Sequence, residues 1–293
     1  MITVVGCTGY IGSKLCLEFS NMGEKVVGLC LDKTNPLVNQ LTQSNIPVFS
    51  CDITNLKSFK EAEDFINNNR IDTVYQMAGI HSSIEKMNDL YINGIMNLIS
   101  LFNKKQAPYF VFASSGITDF SKSIVSEIYH PFEKIITKME YCIKRNTTNS
   151  IIVRIAEVYG KGKMNPFEKI DSGISFLGDG QNLMSKIHID DVIKIMTKIH
   201  KIKPIGTYEL CDDLTVTQRD FYDYAEFLAK KKFITWNCNK NCNNSRLLTS
   251  IHGLRNLSIR MNNQYLKRIL SCSLKYPNYK IGLNNLYFSK NSD

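Results

Sequence analysis

An α/β fold built on a doubly wound parallel sheet is predicted by three features of the 293-residue sequence. Short apolar runs alternate with amphipathic stretches through the first half of the chain. The runs are β-branched and bounded by turn residues, as strands buried on both faces are. The first run leads straight into a glycine-punctuated turn, Val4-Val5-Gly6-Cys7-Thr8-Gly9-Tyr10-Ile11-Gly12. Alternation at this spacing calls for parallel strands joined by right-handed crossovers. With 43% hydrophobic and 22% charged residues the chain can bury a sizeable core, which excludes wholesale disorder.

Taken in order, strands are predicted over residues 2–5, 25–29, 46–50, 73–76, 108–113 and 151–155. Helices fall between them over residues 12–20, 56–67 and 87–104. Residues 161–180 carry glycines, a proline and no long periodic run, and are expected to loop away from the sheet. Periodicity returns as a helix over 187–200 and a short strand over 207–211, and the Asn/Lys/Cys-rich stretch 237–245 reads as a loop. The expected division is a nucleotide-binding domain of residues 1–160 with about 188–213, and a smaller, discontinuous C-terminal lobe of about 161–187 and 214–293.

Charge is unevenly placed. The chain has a net charge of +9, yet residues 230–293 hold 12 Lys/Arg against one Asp, while the preceding 229 residues hold 24 basic and 26 acidic side chains. A basic lobe favours an anionic small-molecule ligand; the other reading is a solvated surface in a chain rich in Asn, Lys and Ile. Nucleic acid is disfavoured, because no aromatic-interleaved recognition motif accompanies the charge. No stretch approaches the ~20 apolar residues of a membrane span, and the opening residues lack the basic leader of a signal peptide. Nine scattered cysteines, several within apolar segments, fit reduced thiols in a cytoplasm better than a disulfide framework.

The glycine turn has a chemical reading. Gly6 permits the tight turn, Gly9 lets backbone N–H groups approach a pyrophosphate, and Gly12 allows close helix–strand packing. The helix that opens there adds partial positive charge. A Rossmann-like domain holding NAD or NADP is therefore expected, with Gly6, Thr8, Gly9, Tyr10, Ile11 and Gly12 around the phosphates. Eighteen residues beyond Gly12 stands Cys30, followed by Asp32 and Lys33. Asp32 suits the ribose hydroxyls of NAD and Lys33 a 2′-phosphate of NADP; both also suit a solvated loop.

The spacing Gly-x-x-Gly-x-x-Gly resembles that of the extended short-chain dehydrogenase/reductases, the NAD-dependent epimerase/dehydratase superfamily. Further segments resemble it in order: Cys51-Asp52-Ile53 beside the adenine, Gln76-Met77-Ala78-Gly79 over the cofactor, Phe112-Ala113-Ser114-Ser115, Val158-Tyr159-Gly160, and Ile187-His188-Ile189-Asp190-Asp191. Tyr208 to Asp213, Val216 to Tyr222 and the tail around Arg260 to Leu266 look like the YeeZ-type proteins, atypical members of that branch that commonly lack the catalytic tyrosine. The resemblance implies cofactor contacts from Asp52, Ile53, Ala78, Gly79 and Lys138, and a monomer or a homodimer.

It also implies a catalytic set that is incomplete here. Hydride-transferring relatives place a tyrosine and a lysine four apart on one helix, the lysine lowering the phenol pKa, with a Ser or Thr orienting the substrate oxygen. Lys138 takes the lysine place, but the tyrosine place is Lys134 and the Ser/Thr place is Gly116. Tyr129, Tyr159 and Ser115 are the candidate stand-ins, with Ser114 beside the last. His81, Arg246 and Arg260 are candidate contacts for an anionic, nucleotide-sugar-like substrate. Arg154 is expected to need a partner, and His188 to order a helix start. Cys238, Cys242 and His252 supply too few ligands for a structural zinc site. The outcome is either an NAD(P)-dependent oxidoreductase or epimerase with an atypical active site, or a dinucleotide-binding sensor, scaffold or assembly factor without catalysis.

Overall fold

A computed structural model describes residues 1–80, 83–103, 107–116, 131–162, 165–237 and 258–290. Strands β1 (Ile2–Val5), β2 (Val26–Cys30), β3 (Val48–Ser50), β4 (Thr73–Gln76), β5 (Tyr109–Ser115), β6 (Ser150–Ile155) and β11 (Gly206–Leu210) form one seven-stranded sheet in the order β11-β6-β5-β4-β1-β2-β3. The pairs β1–β2, β2–β3, β1–β4 and β4–β5 are parallel. β1, β2 and β4 are buried at every position, which explains their mainly apolar composition. The strand order reverses between β1 and β4. In open α/β sheets ligands bind at that point, outside the carboxyl ends of the strands.

Helices return the chain between strands: α1 (Tyr10–Asn21), α2 (Pro36–Gln43), α3 (Lys60–Asn68), α4 (Ile84–Asn88), α5 (Ile95–Asn103), α6 (Pro131–Asn146) and α7 (Ile189–Ile202). A 3₁₀ turn over Leu56–Phe59 precedes α3, and a π-helical turn over Asp89–Gly94 joins α4 to α5. Where the sequence predicts one helix over 87–104, three helical pieces therefore stand. The helix predicted over 187–200 starts at Ile189, because Lys186–His188 form strand β10, paired in parallel with β7 (Glu157–Tyr159). His188 Nδ1 accepts the Asp190 N–H at 3.2 Å, which orders that helix start.

Residues 161–180 are not simply a loop. A 3₁₀ turn covers Pro166–Lys169, and β8 (Ile174–Leu177) pairs in parallel with β13 (Ile234–Asn237). Both strands are four residues long and meet sixty positions apart, so neither run carries its own signal. β9 (Leu183–Met184) pairs antiparallel with β12 (Val216–Thr217), which leads into α8 (Gln218–Ala229); α9 (Gln264–Leu270) and α10 (Tyr279–Lys290) follow.

Contacts divide the chain into two units. The first holds residues 1–114, 132–154 and 193–208; the second holds 115–131, 155–192 and 209–293. The second unit has its own core, in which Tyr159, Phe167, Phe221, Phe233, Tyr279 and Leu283 are all buried. No helix among the described residues is long and apolar enough to cross a membrane.

Candidate functional site

In the first unit the glycine turn forms a cradle closed so tightly on its own backbone that Gly6 and Gly12 admit no side chain. Gly6 has φ +79°, and a Cβ there would lie 2.6 Å from the Ala78 nitrogen. A Cβ on Gly12 would collide with the Gly6 carbonyl oxygen, whereas Gly9 meets only that oxygen, at 3.1 Å. The Gly6 and Cys7 N–H groups are used on Leu29 O. Gly9 is the N-cap of α1, contributes no side-chain cap, and the first turn carries no acidic residue. The helix therefore meets the carboxyl edge of β1 with partial positive charge uncompensated by its own first turn. The residues present fit a dinucleotide's pyrophosphate: the backbone comes close where glycine alone leaves room, and the field there is positive.

At the carboxyl end of β2 the position expected to hold an acid is Cys30, and it is buried. The Cys30 thiol donates to the Asp32 carbonyl at 3.5 Å, and its interaction with the neighbouring Cys7 thiol lowers the Cys30 pKa and, with burial, raises that of Cys7. Gly28 makes room for this pair, since a Cβ there would stand 2.7 Å from Cys7 Sγ. Asp32 is exposed and accepts the Thr34 N–H at 2.8 Å and the Thr34 hydroxyl at 2.7 Å, which lowers its pKa. Lys33 is paired with Glu61 at 2.8 Å. Asp52 accepts the Thr54 N–H at 2.9 Å, and Ile53 is buried. Thr8, Tyr10 and Ile11 are part-exposed and Gly79 is exposed. The structure thus brings the β1, β2, β3 and β4 loops of the first unit to the carboxyl edge of the sheet, the edge at which open α/β sheets bind ligands.

The expected catalytic positions fall in both units and are described unit by unit. Lys134 and Lys138 lie on the exposed side of α6. The buried side of that helix carries Glu140, which the sequence reading missed. Its carboxylate accepts Arg154 Nε at 3.0 Å, Arg154 Nη2 at 2.7 Å and the Ser114 hydroxyl at 2.7 Å. Arg154 has its partner, and Ser114 is tied to the same lock.

Within the second unit, Gly116 is buried, and a Cβ there would collide with the Met261 thioether sulfur. Met261 sits on a strap stitched to its surroundings. The Met261 N–H donates to Ser185 Oγ at 3.0 Å and the Asn262 N–H to Glu209 Oε2 at 2.6 Å. Asn263 Nδ2 reaches Cys211 O at 2.8 Å and Asp213 Oδ1 at 2.7 Å. Ser115, at the end of β5, is part-exposed, and Arg260 is exposed. Tyr159 is buried, packed against Phe221 at 5.4 Å and His188 at 5.2 Å; burial raises its phenol pKa far above the range of a useful proton donor. Lys186 is almost wholly buried, bonded to Glu157 at 2.9 Å and 4.2 Å from the Phe221 ring centre. Tyr129, His81, Arg246 and the Cys238/Cys242/His252 cluster lie outside the described residues. No group of three or more His, Cys, Asp or Glu among the described residues is placed to hold a metal ion.

The model of the NAD dependent epimerase/dehydratase family matches residues 2–210. UDP-glucose 4-epimerase of Haemophilus influenzae is 28% identical over 156 residues, covering 50% of this chain and 43% of that protein, so the match spans less than half of that relative. ADP-L-glycero-D-manno-heptose-6-epimerase of Helicobacter pylori has a similar fold, with a TM-score of 0.78 at 16% identity over 100% of this chain and 96% of that one. So does UDP-glucose 4-epimerase of Thermotoga maritima, solved with UDP-glucose, with a TM-score of 0.74 at 16% identity over 100% and 99%. dTDP-glucose 4,6-dehydratase of Bacillus anthracis, solved with NAD, gives 0.75 at 15% identity over 99% and 97%.

Proposed function

The chain belongs to the NAD dependent epimerase/dehydratase family, and from that premise we propose that it binds NAD on the Gly6–Gly12 turn and acts on an anionic, nucleotide-sugar-like substrate as an oxidoreductase or epimerase with an atypical active site. The observation that carries this reading is the cradle itself: Gly6 and Gly12 occupy places where any Cβ would strike backbone. When bound, the dinucleotide supplies a carbon that gives or takes a hydride. This chain's own residues bind and orient it: the N-terminus of α1, which has no side-chain cap, faces the phosphates, and Asp32 offers acceptors to the ribose hydroxyls. Lys33, engaged by Glu61, is less available to a 2′-phosphate, which favours NAD over NADP. Lys138 and Ser115 are the residues proposed at the reacting end, and Arg260 at the substrate's charge. The structural neighbour solved with UDP-glucose and the basic C-terminal segment support the substrate class. The seven described cysteines are all free thiols, which supports a cytoplasmic location.

A second reading has its own support. With Lys134 at the tyrosine place and Met261 filling the space beside Gly116, neither usual proton-handling group stands where hydride transfer needs it, and the chain would bind the dinucleotide without turning it over. Calorimetric titration with NAD⁺ and NADP⁺, followed by absorbance at 340 nm with a panel of nucleotide sugars, separates the readings. Binding with reduction of the cofactor supports the enzyme. Binding with neither cofactor reduction nor an epimerised sugar in the product mixture supports the non-catalytic protein. Failure of both coenzymes to bind removes the premise of each.

A further inference from the structure

The geometry points to Tyr91 as a positioning residue for the dinucleotide: carried on the π-turn Asp89–Gly94, its phenol sets the loop after β4, while the same turn sets the loop after β3. This rests on the reading that the first unit binds a dinucleotide. A π-turn is a poorly favoured widening of a helix, and single π-turns recur at functional sites. Here two residues of the turn, and one of the helix that follows it, act on two loops. Tyr91 Oη accepts the Ile80 N–H at 3.2 Å and donates to the Ile80 carbonyl at 3.4 Å. A Cβ on the adjacent Gly79 would stand 3.1 Å from the same oxygen, so the loop lies directly on the phenol. Gly94, at the end of the turn, faces the other loop: a Cβ there would stand 2.8 Å from Ile53 Cγ1. Asn97 Nδ2, one step further on, donates to the Ile53 carbonyl at 3.0 Å.

These contacts run in series to the phosphate cradle, because Ala78, two residues before Ile80, is the neighbour that fills the space above Gly6. Tyr91 is itself buried, and burial raises its pKa, so the phenol stays protonated and both of its hydrogen-bonding capacities are used on Ile80. That leaves positioning, not proton transfer, as its role. A loop held in its binding shape before the ligand arrives spares the ordering cost that association otherwise incurs.

The test uses the full chain with Tyr91→Phe, which keeps the ring packing and removes one oxygen. Amide hydrogen exchange over residues 77–80 and calorimetric titration with NAD⁺ are measured side by side. We expect the Ile80 amide to exchange at least tenfold faster, the amides of β4 to be unchanged, and the NAD⁺ Kd to rise about threefold to tenfold, the effect of losing one net hydrogen bond. Gly94→Ala, which presses on Ile53 from the other end of the turn, should weaken NAD⁺ without accelerating Ile80. Unchanged exchange in Tyr91→Phe overturns the inference, and so does faster exchange with a Kd within twofold of wild type. Wild-type protein that binds no NAD⁺ overturns the dinucleotide reading as well, and that failure is recognisable because it precedes any substitution.

Discussion

Asp212 carries a carboxylate that the fold has almost sealed from water. One of its oxygens accepts the Leu214 N–H at 3.1 Å, and the other has no hydrogen-bond partner among the described residues. Burial pushes its pKa from 3.8 to about 7, with Asp213 adding to the rise and Lys186 opposing it. The sign follows from linkage: between about pH 4 and pH 7 the unfolded chain has already lost this proton while the folded protein keeps it, so stability falls as pH rises and levels off above 7. Between pH 5 and pH 8 the fall from this group is roughly 3 kcal/mol, and Asp212→Asn should abolish most of it. Urea unfolding of both proteins at the two pH values checks this; equal pH dependence in the two would refute the assignment. Tyr159 gives a second residue-level expectation. Its hydroxyl is buried without a partner among the described residues and pressed on Gly282. Tyr159→Phe should therefore leave the unfolding free energy within about 1 kcal/mol of wild type or raise it. A large loss would mean that the hydroxyl is bonded after all. Neither environment is legible in the sequence, where Asp212 is one of several acids and Tyr159 looked like a stand-in catalyst. The fate of both groups depends on what packs over them.

Between elements, the Glu140 lock ties α6 to β5 and β6. Its carboxylate is buried and bonded to Arg154 through two nitrogens and to Ser114. Removing one partner of such a pair leaves a charge stranded, which costs more than the intact pair contributes. Glu140→Ala should lose about 3–5 kcal/mol in urea unfolding, and Glu140→Ala with Arg154→Met should lose less than the two single changes summed. Additive losses would show that the two side chains do not act together. At this scale much of the fold was legible. The strand over 2–5 announces itself because β-branched residues fill it without interruption, those over 73–76 and 151–155 because short β-prone runs stand between turn residues, and the glycine turn because its spacing has few other uses. What was hidden has a physical cause in each case. The stretch 87–104 is apolar at helical spacing throughout, and a π-turn inserts no break into that pattern. α2 is short, though Asn35 before Pro36 was a usable signal, since the Asn35 side chain caps the helix at Leu37 N. β8 and β13 exist only through each other. Gly116 was read as a missing hydroxyl; that Met261 fills the space could not be read across 145 positions.

For the molecule as a whole, the basic C-terminal segment is partly answered within its own unit. Lys231 pairs with Asp171, Lys232 with Glu226, Lys267 with Asp213 and Lys275 with Asp190. Several of these charges are therefore engaged by carboxylates and are not simply displayed to an anionic partner, which weakens a purely electrostatic account of ligand capture. Each unit is assembled from three separated segments, so no single cut in the chain isolates the one with the glycine turn, and the dinucleotide must be tested on the intact protein. A ligand that binds only the folded state raises stability by about 2.7 kcal/mol at a hundredfold excess over its Kd. For a chain of this size that is a rise of several degrees in Tm. Gly12→Ala places a methyl group against the Gly6 carbonyl and closes the cradle. It should lower the starting Tm and, independently, remove the NAD⁺-induced rise. The increment, not the starting value, is the diagnostic quantity, because a packing defect elsewhere would shift the baseline and leave the increment in place. Thermal unfolding of both proteins with and without NAD⁺ measures it, and an increment that survives in Gly12→Ala would move the anion site away from the β1 turn.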